Sequence, residues 1–423
     1  MQQQSKFRKY MSLISLGYMG GTIYVLMYIR YVFYDQMIET MNINNTQLGL
    51  LNTVCAVVGF IVSIPGAYLA DKFDAKKIIV WSIGGMTALA FIYAVFIESY
   101  TAALIIWAAQ SLVLFSYWPC LIKYINSLGS EDEAGSSFGM YYMINGLSGA
   151  FGNAAPLWIS THFGGFRSAM IGVGVITLIA TILVWIFLDN EKKMAERGVY
   201  LKGDEPIQLR HVKYVLKWPG TYMLFLATFA SYTVYSNISY FNPYLIDVIG
   251  IDPDTSSVFS VIRSYGAMLI APVGGIMADK VFKSTSKWSI VAFIITGAMF
   301  AIVFLFGPES NPTLVSIYSV LPSLIIFAFY SITYSILREL HIPATVAGTA
   351  IGLGSLSATV GDALWPAAFG NLIDKFGNDG YTYIFIILIL DCVMGILNAL
   401  WVRSHDRKCK SGQRQMDLSG VSE

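Results

Sequence analysis

Gly274-Gly275-Ile276-Met277-Ala278-Asp279-Lys280-Val281-Phe282-Lys283 closes one long apolar run and precedes another. A second copy of the pattern lies earlier, in Ala67-Tyr68-Leu69-Ala70-Asp71-Lys72-Phe73-Asp74-Ala75-Lys76-Lys77, so that Asp71 and Asp279 stand 208 positions apart in a chain of 423. Each copy ends an apolar helix on small residues, sets Ala-Asp-Lys, and then turns through a short basic stretch. A repeat at about half the chain length implies two like halves, and internally repeated hydrophobic helices are the arrangement of a secondary transporter.

The composition agrees. Hydrophobic residues make up 56% of the chain and charged residues 13%, where a soluble domain carries about a quarter charged residues; mean hydropathy is +0.60. The apolar residues fall in runs long enough to cross a bilayer, about 20 residues each. The fold class is therefore an all-α membrane protein. A net charge of +1 leaves no basic face for nucleic acid. Cys55, Cys120, Cys392 and Cys409 show no paired spacing, so neither a disulfide framework nor a metal site is expected, and no cofactor is implied. The polar, basic stretch from Met1 to Lys9 leads into a first helix with no small-residue cleavage site, which reads as a retained span.

About twelve spans are predicted, in two six-helix bundles. The N-terminal bundle, 1–188, has spans near 11–37, 46–70, 77–97, 101–126, 136–160 and 166–188. The C-terminal bundle, 219–403, has spans near 219–246, 256–279, 287–307, 313–338, 346–371 and 380–403. Residues 189–218 form the long polar segment, read as a partly helical cytosolic linker, and 404–423 a disordered cytosolic tail. Lys and Arg gather on one set of connections: Lys6 to Lys9, Lys72 to Lys77, the linker, Lys280 to Lys287, and Arg403 to Arg414. The opposite set holds Arg167 and Lys375 as its clear cations. By the positive-inside rule both termini are cytosolic, in a multi-pass protein of the inner (plasma) membrane. Asn44-Asn45-Thr46 predicts a cap before the second span, and Asp254-Thr255-Ser256 one before the eighth.

An Asp beside a Lys at a cytosolic helix end can pair with a neighbouring helix in one conformation and release it in another. An exposed ion pair contributes only about 0–1 kcal/mol, which suits a latch that must open. Asp71, Lys72, Asp279 and Lys280 are the expected latch; the plainer alternative is a solvated helix end obeying the charge rule.

At these residues the chain resembles the major facilitator superfamily, over essentially all twelve spans. Ala278-Asp279-Lys280-Val281-Phe282-Lys283 looks like the second-half motif of the organophosphate:phosphate antiporters. Tyr214-Val215-Leu216-Lys217, Asn242-Pro243-Tyr244-Leu245 and Ala347-Gly348-Thr349-Ala350 are similar to the same group. Trp118-Pro119-Cys120 followed by Lys123 resembles its fourth span, where the basic residue is Arg, and the same place is similar to the Arg of the anion:cation symporters for sugar acids. The first motif copy departs from the superfamily pattern, with Asp74-Ala75 where Gly and a basic residue are common.

The resemblance implies an anion held between an Arg on the first span and one on the seventh. Arg30 matches the first; the seventh-span position falls on or near Tyr235. A phosphate dianion favours paired cations, so the missing second Arg weakens a phosphate ester and leaves a smaller anion, such as a carboxylated sugar. Arg30 has the alternative of snorkelling to the outer interface, and Lys123 that of a cytosolic anchor. Arg263, at a pocket position of the family's eighth span, would restore the second charge. Asp362 is the lone ionisable residue between His341 and Asp374, and a carboxylate isolated within a span suits a proton carrier or a counter-ion to Arg30, against the alternative of a polar packing contact. Pro366 cannot donate to the carbonyl of residue 362, which predicts a loosened backbone there. Asn145 is a candidate polar contact to substrate, and Gly146 to Gly152 reads as close helix packing. Tyr24, Tyr28, Trp118, Tyr141 and Trp365 are candidates to stack on a sugar ring. Asp391, mid-way in the last span, reads as structural.

Two classes of function follow. The first is a monomeric secondary active transporter of a small organic anion by alternating access, with a coupling proton or counter-anion; proton symport is preferred, and organophosphate/phosphate exchange is the alternative. The second is a transporter-like sensor that binds ligand and signals to a partner. An enzyme is disfavoured, since no nucleophile–base pair, P-loop or metal-ligand cluster is present.

Overall fold

The computed structural model describes residues 6–128, 134–196 and 209–416; within these, the side chains at 6, 64–72, 126–127, 134–139, 195, 209–211 and 344–345 are not described. The regular structure of the described residues is entirely helical, with no strand among them. Contacts gather the chain into two compact units, Met1–Asp204 and Glu205–Glu423, whose boundary falls inside the polar stretch.

The first unit contains α1 (Lys6–Thr22), α2 (Tyr34–Met41), α3 (Asn45–Lys72), α4 (Ala75–Val95), α5 (Tyr100–Leu114), α6 (Tyr117–Ser127), α7 (Ala134–His162), α8 (Gly165–Phe187) and the short α9 (Glu191–Glu196). The second contains α10 (Leu209–Lys217), α11 (Pro219–Asn237), α12 (Phe241–Asp247), α13 (Pro253–Tyr265), α14 (Ala271–Ile276), α15 (Thr285–Val303), α16 (Pro312–Tyr330), α17 (Ala344–Phe376) and α18 (Asp379–Lys410). Among the described residues, eight helical stretches are long and apolar enough to cross a membrane. To these α7 and α17 add length, at 29 and 33 residues. The predicted first and seventh spans are divided between α1 and α2, and between α11 and α12.

Local chemistry sets the boundaries. Asn44 accepts from the Gln47 amide at 2.8 Å while Gln47 accepts from the Asn44 amide at 3.0 Å, a reciprocal capping box that starts α3 as predicted. The cap before the eighth span is displaced from the expected Asp254: Asp252 accepts from the amides of Asp254 and Thr255, both at 3.1 Å. Hydrogen bonding from Thr255, through both side chain and backbone, holds the Asp252 carboxyl below its ordinary value. Pro253 explains the shift, because its fixed φ and missing N–H suit the first helical turn. Ser99, Ser284 and Asn311 cap α5, α15 and α16 in the same way.

Two expectations fail beyond the spans. The segment from Ser404 was expected to be disordered, yet α18 runs on to Lys410, because Val402 and His405 are buried and Asp406 pairs with His341 and Lys410. The helix α17 runs unbroken through Pro366 where a loosened backbone was expected.

The cores are built by close backbone approach. In the first unit α1 lies on α7 at Gly20 and Gly21, where a Cβ on Gly21 would collide with the Asn145 carbonyl and the Gly149 amide. This bears out close packing at Gly149 and Gly152, whereas a Cβ on Gly146, at the start of the expected packing stretch, would meet nothing within 4 Å. In the second unit a Cβ on Gly274 would overlap the Ala328 carbonyl on α16, whereas one on the adjacent Gly275 would meet nothing within 4 Å. Van der Waals packing, the main attraction between helices in lipid, requires this proximity. Gly274→Ala is therefore expected to cost about 3 kcal/mol or more, since two backbones cannot yield as a side chain would. Gly275→Ala should be neutral or stabilising by about 0.5–1 kcal/mol. Thermal unfolding of the two purified variants checks this; equal midpoints would contradict the packing account.

Candidate functional site

Among the described residues five spans are interrupted, four of them at like places in the two halves. The first span leaves α1 at Thr22, turns, and passes through a 3-10 segment, Ile29–Tyr31, before α2. The fourth breaks between Leu114 and Tyr117. The seventh passes through Ile238–Tyr240 between α11 and α12, and the tenth ends α16 at Tyr330 and continues as Thr333–Arg338. Prolines explain two of these. Pro119 and Pro243 cannot donate to the carbonyls of Phe115 and Ser239 four residues back, which lie in the two breaks. Pro272 stands in the same relation to Met268 in the additional 3-10 segment, Gly266–Ile270, of the eighth span. In the first span the Thr22 hydroxyl bonds back to the Tyr18 carbonyl at 2.9 Å, a contact that loosens a helix at that turn.

Aromatic pairs cross these breaks in both halves. Tyr24 on the first span meets Tyr117 on the fourth edge to face, with centroids 6.0 Å apart. Tyr235 on the seventh stacks on Tyr330 of the tenth at 5.1 Å and 13°. The Tyr235 position therefore carries aromatic packing where the resemblance implied an Arg.

In the first unit, Arg30 lies in the 3-10 segment and is only 2% exposed, with its guanidinium carbon 5.0 Å from the centre of the Tyr31 ring, at cation–π distance. A buried Arg is not snorkelling, so the interfacial alternative loses its ground. Lys123 is half-buried on α6, past the break in the fourth span. Asn145 donates to the Tyr141 hydroxyl at 3.1 Å and faces Gly20 across the α1–α7 contact, ten residues before Arg30.

In the second unit, Asp362 on α17 is bound from α11 at both oxygens. The Tyr232 hydroxyl donates to one at 2.6 Å and the Ser236 hydroxyl to the other at 3.2 Å. Tyr240 donates to the carbonyl of Pro366, one turn further along α17, at 3.0 Å. Arg263 on α13 is 2% exposed. Its Nη1 donates to the Ser319 hydroxyl on α16 at 2.7 Å, and that hydroxyl donates onward to the Ser316 carbonyl at 2.6 Å. Arg263 Nε and Nη2 are buried and have no hydrogen-bond partner among the described residues. These two nitrogens form the side edge of the guanidinium, which grips an oxyanion with two parallel bonds. Asp391 is also buried, and its Oδ2 has no such partner.

Tyr232, Ser236 and Ser319 were not singled out in the sequence, though each had a signal. Tyr232 and Ser236 are four apart and so share a helix face, and Ser316, Ser319 and Ser323 form a buried hydroxyl stripe on an apolar helix.

At the basic ends, the Asp71 and Lys72 side chains lie outside the described residues. Asp279 and Lys280 are exposed and sit in a single π-helical turn, Met277–Val281, a rare geometry that recurs at functional sites. The departure at Asp74-Ala75 has a structural reason. Asp74 caps α4 through the Lys77 amide at 3.1 Å and also accepts from the Glu191 amide at 2.8 Å, while Glu191 accepts from the Ala75 amide at 3.1 Å. Lys76 donates to the Leu188 carbonyl at 2.7 Å, and Arg8 pairs with the buried Asp189 at 2.8 Å. The motif loop is thus joined to the start of the polar stretch within its own half.

Comparison with known proteins places this geometry. The chain is 27% identical over 380 residues to the inner membrane protein YihN of Escherichia coli K12, covering 87% of this chain and 89% of that one. It is 22% identical over 357 residues to the probable sulfoacetate transporter SauU of Cupriavidus necator (80% and 81% covered) and 21% over 354 residues to the hexuronate transporter of Bacillus subtilis (80% and 82%). Its fold is similar to that of a bacterial homologue of the human lysosomal transporter Spinster, with a TM-score of 0.76 at 16% identity over 98% of this chain and 100% of that one. The family profile matches residues 12–366 and again 224–421, and with its divided helices and halves of like design this chain belongs to the Major Facilitator Superfamily.

Proposed function

We propose that the chain is a proton-coupled secondary active transporter of a small organic anion, a sugar acid or related carboxylate, working as a monomer by alternating access in the inner membrane with both termini cytosolic. The observation that carries the reading is the buried side edge of Arg263, a guanidinium oriented by Ser319 with two donors left for an oxyanion. Burying a charge is costly, and an intramembrane charge is retained where function needs it. Within the first half the candidate substrate contacts are the buried cation Arg30 and the polar groups Lys123 and Asn145, and within the second half Tyr235 is an aromatic candidate. Two of the similar proteins are named as transporters of organic anions, sulfoacetate and hexuronate, which supports the substrate class. Asp362 carries the proton, since it is an intramembrane carboxylate whose two hydroxyl partners join α11 to α17. Protonation turns one acceptor oxygen into a donor and weakens that join. Asp71, Lys72, Asp279 and Lys280 act as the latch.

Uptake into proteoliposomes tests the anion site. Removing the Arg263 fork by Arg263→Gln should raise the half-saturating concentration of a transported sugar acid on the order of ten- to a hundredfold, the equivalent of a charge-assisted hydrogen bond. Arg30→Gln should act in the same direction. Uptake indifferent to both substitutions and to a pH gradient would overturn the reading, and uptake that requires phosphate inside the vesicle would replace symport by exchange.

The coupling role of Asp362 predicts a different split. In Asp362→Asn, accumulation driven by a pH gradient should disappear while exchange of labelled for unlabelled substrate persists. Tyr232→Phe should slow accumulation about tenfold through loss of one hydrogen bond to a charged group. Gradient-driven accumulation that survives Asp362→Asn would remove the residue from the coupling step.

A further inference from the structure

A second group of titratable side chains lies well away from Arg263 and Asp362, at the basic end of the second unit. Here residues 411–416 fold back beneath the helices. The Gly412 and Gln413 amides donate to the Cys409 and Lys408 carbonyls, both at 3.0 Å, and Gly412 takes φ +75°, which turns the chain out of α18. Met416 packs against a buried cluster that includes Val215, Leu224, Leu340, Val346 and Val402. The strap thereby covers the connection between α16 and α17.

That connection is held by two histidines. The Leu340 carbonyl lies 2.8 Å from the Trp218 indole nitrogen and 3.3 Å from His405 Nε2. His341, in the left-handed region at φ +50°, places Nε2 2.8 Å from Asp406 Oδ1. On the other side of the His405 ring, Arg414 Nη1 lies 3.2 Å from Nδ1. A guanidinium can only donate, so Nδ1 must be the acceptor and the ring proton must sit on Nε2, facing Leu340. The arrangement therefore specifies a neutral His405. A second proton would remove the lone pair that Arg414 uses and set two cationic donors against each other. The other ionisable groups facing the ring are Cys409, whose Sγ is 3.4 Å from Nε2, together with His341 and Asp406. Asp406 is already engaged by His341 and by Lys410 at 2.7 Å, which limits its capacity to offset a new charge.

We propose that His405 is a proton-sensitive clasp: when neutral it holds the strap 411–416 through Arg414 against the α16–α17 connection, and when protonated it releases it. The clasp exists while the ring is neutral; burial holds His405 below the ordinary His value of about 6.5, so the clasp is lost only as pH falls below that value. It acts on the connection between the tenth and eleventh spans without touching the anion site, so it stands whether or not the transport reading does.

Amide hydrogen exchange of the full chain in lipid nanodiscs between pH 5.5 and 8, normalised to intrinsic exchange rates, tests the clasp. Protection of residues 409–416 should fall about tenfold on acidification, the loss of one charge-assisted hydrogen bond. In His405→Gln, whose amide oxygen still accepts from Arg414, protection should persist and lose its pH dependence. In Arg414→Leu it should be low at every pH. His341→Gln should keep the pH response. Protection in the native chain that ignores pH, protection that survives Arg414→Leu, or a response abolished by His341→Gln but not by His405→Gln would each overturn the proposal.

Discussion

Within hydrocarbon a backbone amide or carbonyl that leaves its helix has no water to bond to, and the architecture of this chain follows from that constraint. Each interruption of a span must be satisfied by tight turns, by side-chain hydroxyls or by neighbouring helices. The chain meets this with short 3-10 segments at Ile29–Tyr31, Ile238–Tyr240 and Thr333–Arg338, and with serine and threonine hydroxyls turned back onto carbonyls. The polar and charged side chains gather around the same places, because a broken helix already provides a polar surrounding. Arg30 lies inside one break, and Tyr232, Tyr235 and Ser236 lie in the last turns before another.

The halves share a framework and differ in charge. Each places an aromatic pair across the breaks of its first and fourth spans, Tyr24 with Tyr117 and Tyr235 with Tyr330. The first half sets a buried cation into this framework. The second sets a hydroxyl-bound carboxylate, Asp362, and displaces its own buried cation to Arg263 on the neighbouring span. The repeated motifs are also anchored differently. The first-half loop is tied through Asp74 and Glu191, whereas in the second half Glu339 accepts from the Ser284 hydroxyl and from both the amide and the hydroxyl of Ser286 at the start of α15. In both cases a carboxylate satisfies donors at a helix start, which fixes the loop while leaving the exposed Asp279 and Lys280 unconstrained by it.

Much of this was legible in one dimension. Apolar run length, the 208-residue repeat and the motif wording determine an all-helical membrane protein of the Major Facilitator Superfamily, because bilayer thickness and backbone hydrogen bonding leave few alternatives to stacked apolar helices. Asn44 as a cap and the small-residue crossing at Gly149 were also readable, since each depends on a few adjacent residues. The tertiary structure decided the rest. The positions of the breaks, the continuity of α17 through Pro366 and the extension of α18 to Lys410 depend on partners remote in the chain, such as Tyr240 and His341. So does the chemistry of each charge: Arg263 becomes an oriented fork only through Ser319, 56 positions away, and Asp362 becomes a joint between helices only through Tyr232, 130 positions away. Sequence alone determined which side chains bear charge inside the membrane, because their cost there makes them conspicuous. Which of their atoms remain open was decided only by the packing of helices that sequence spacing does not relate.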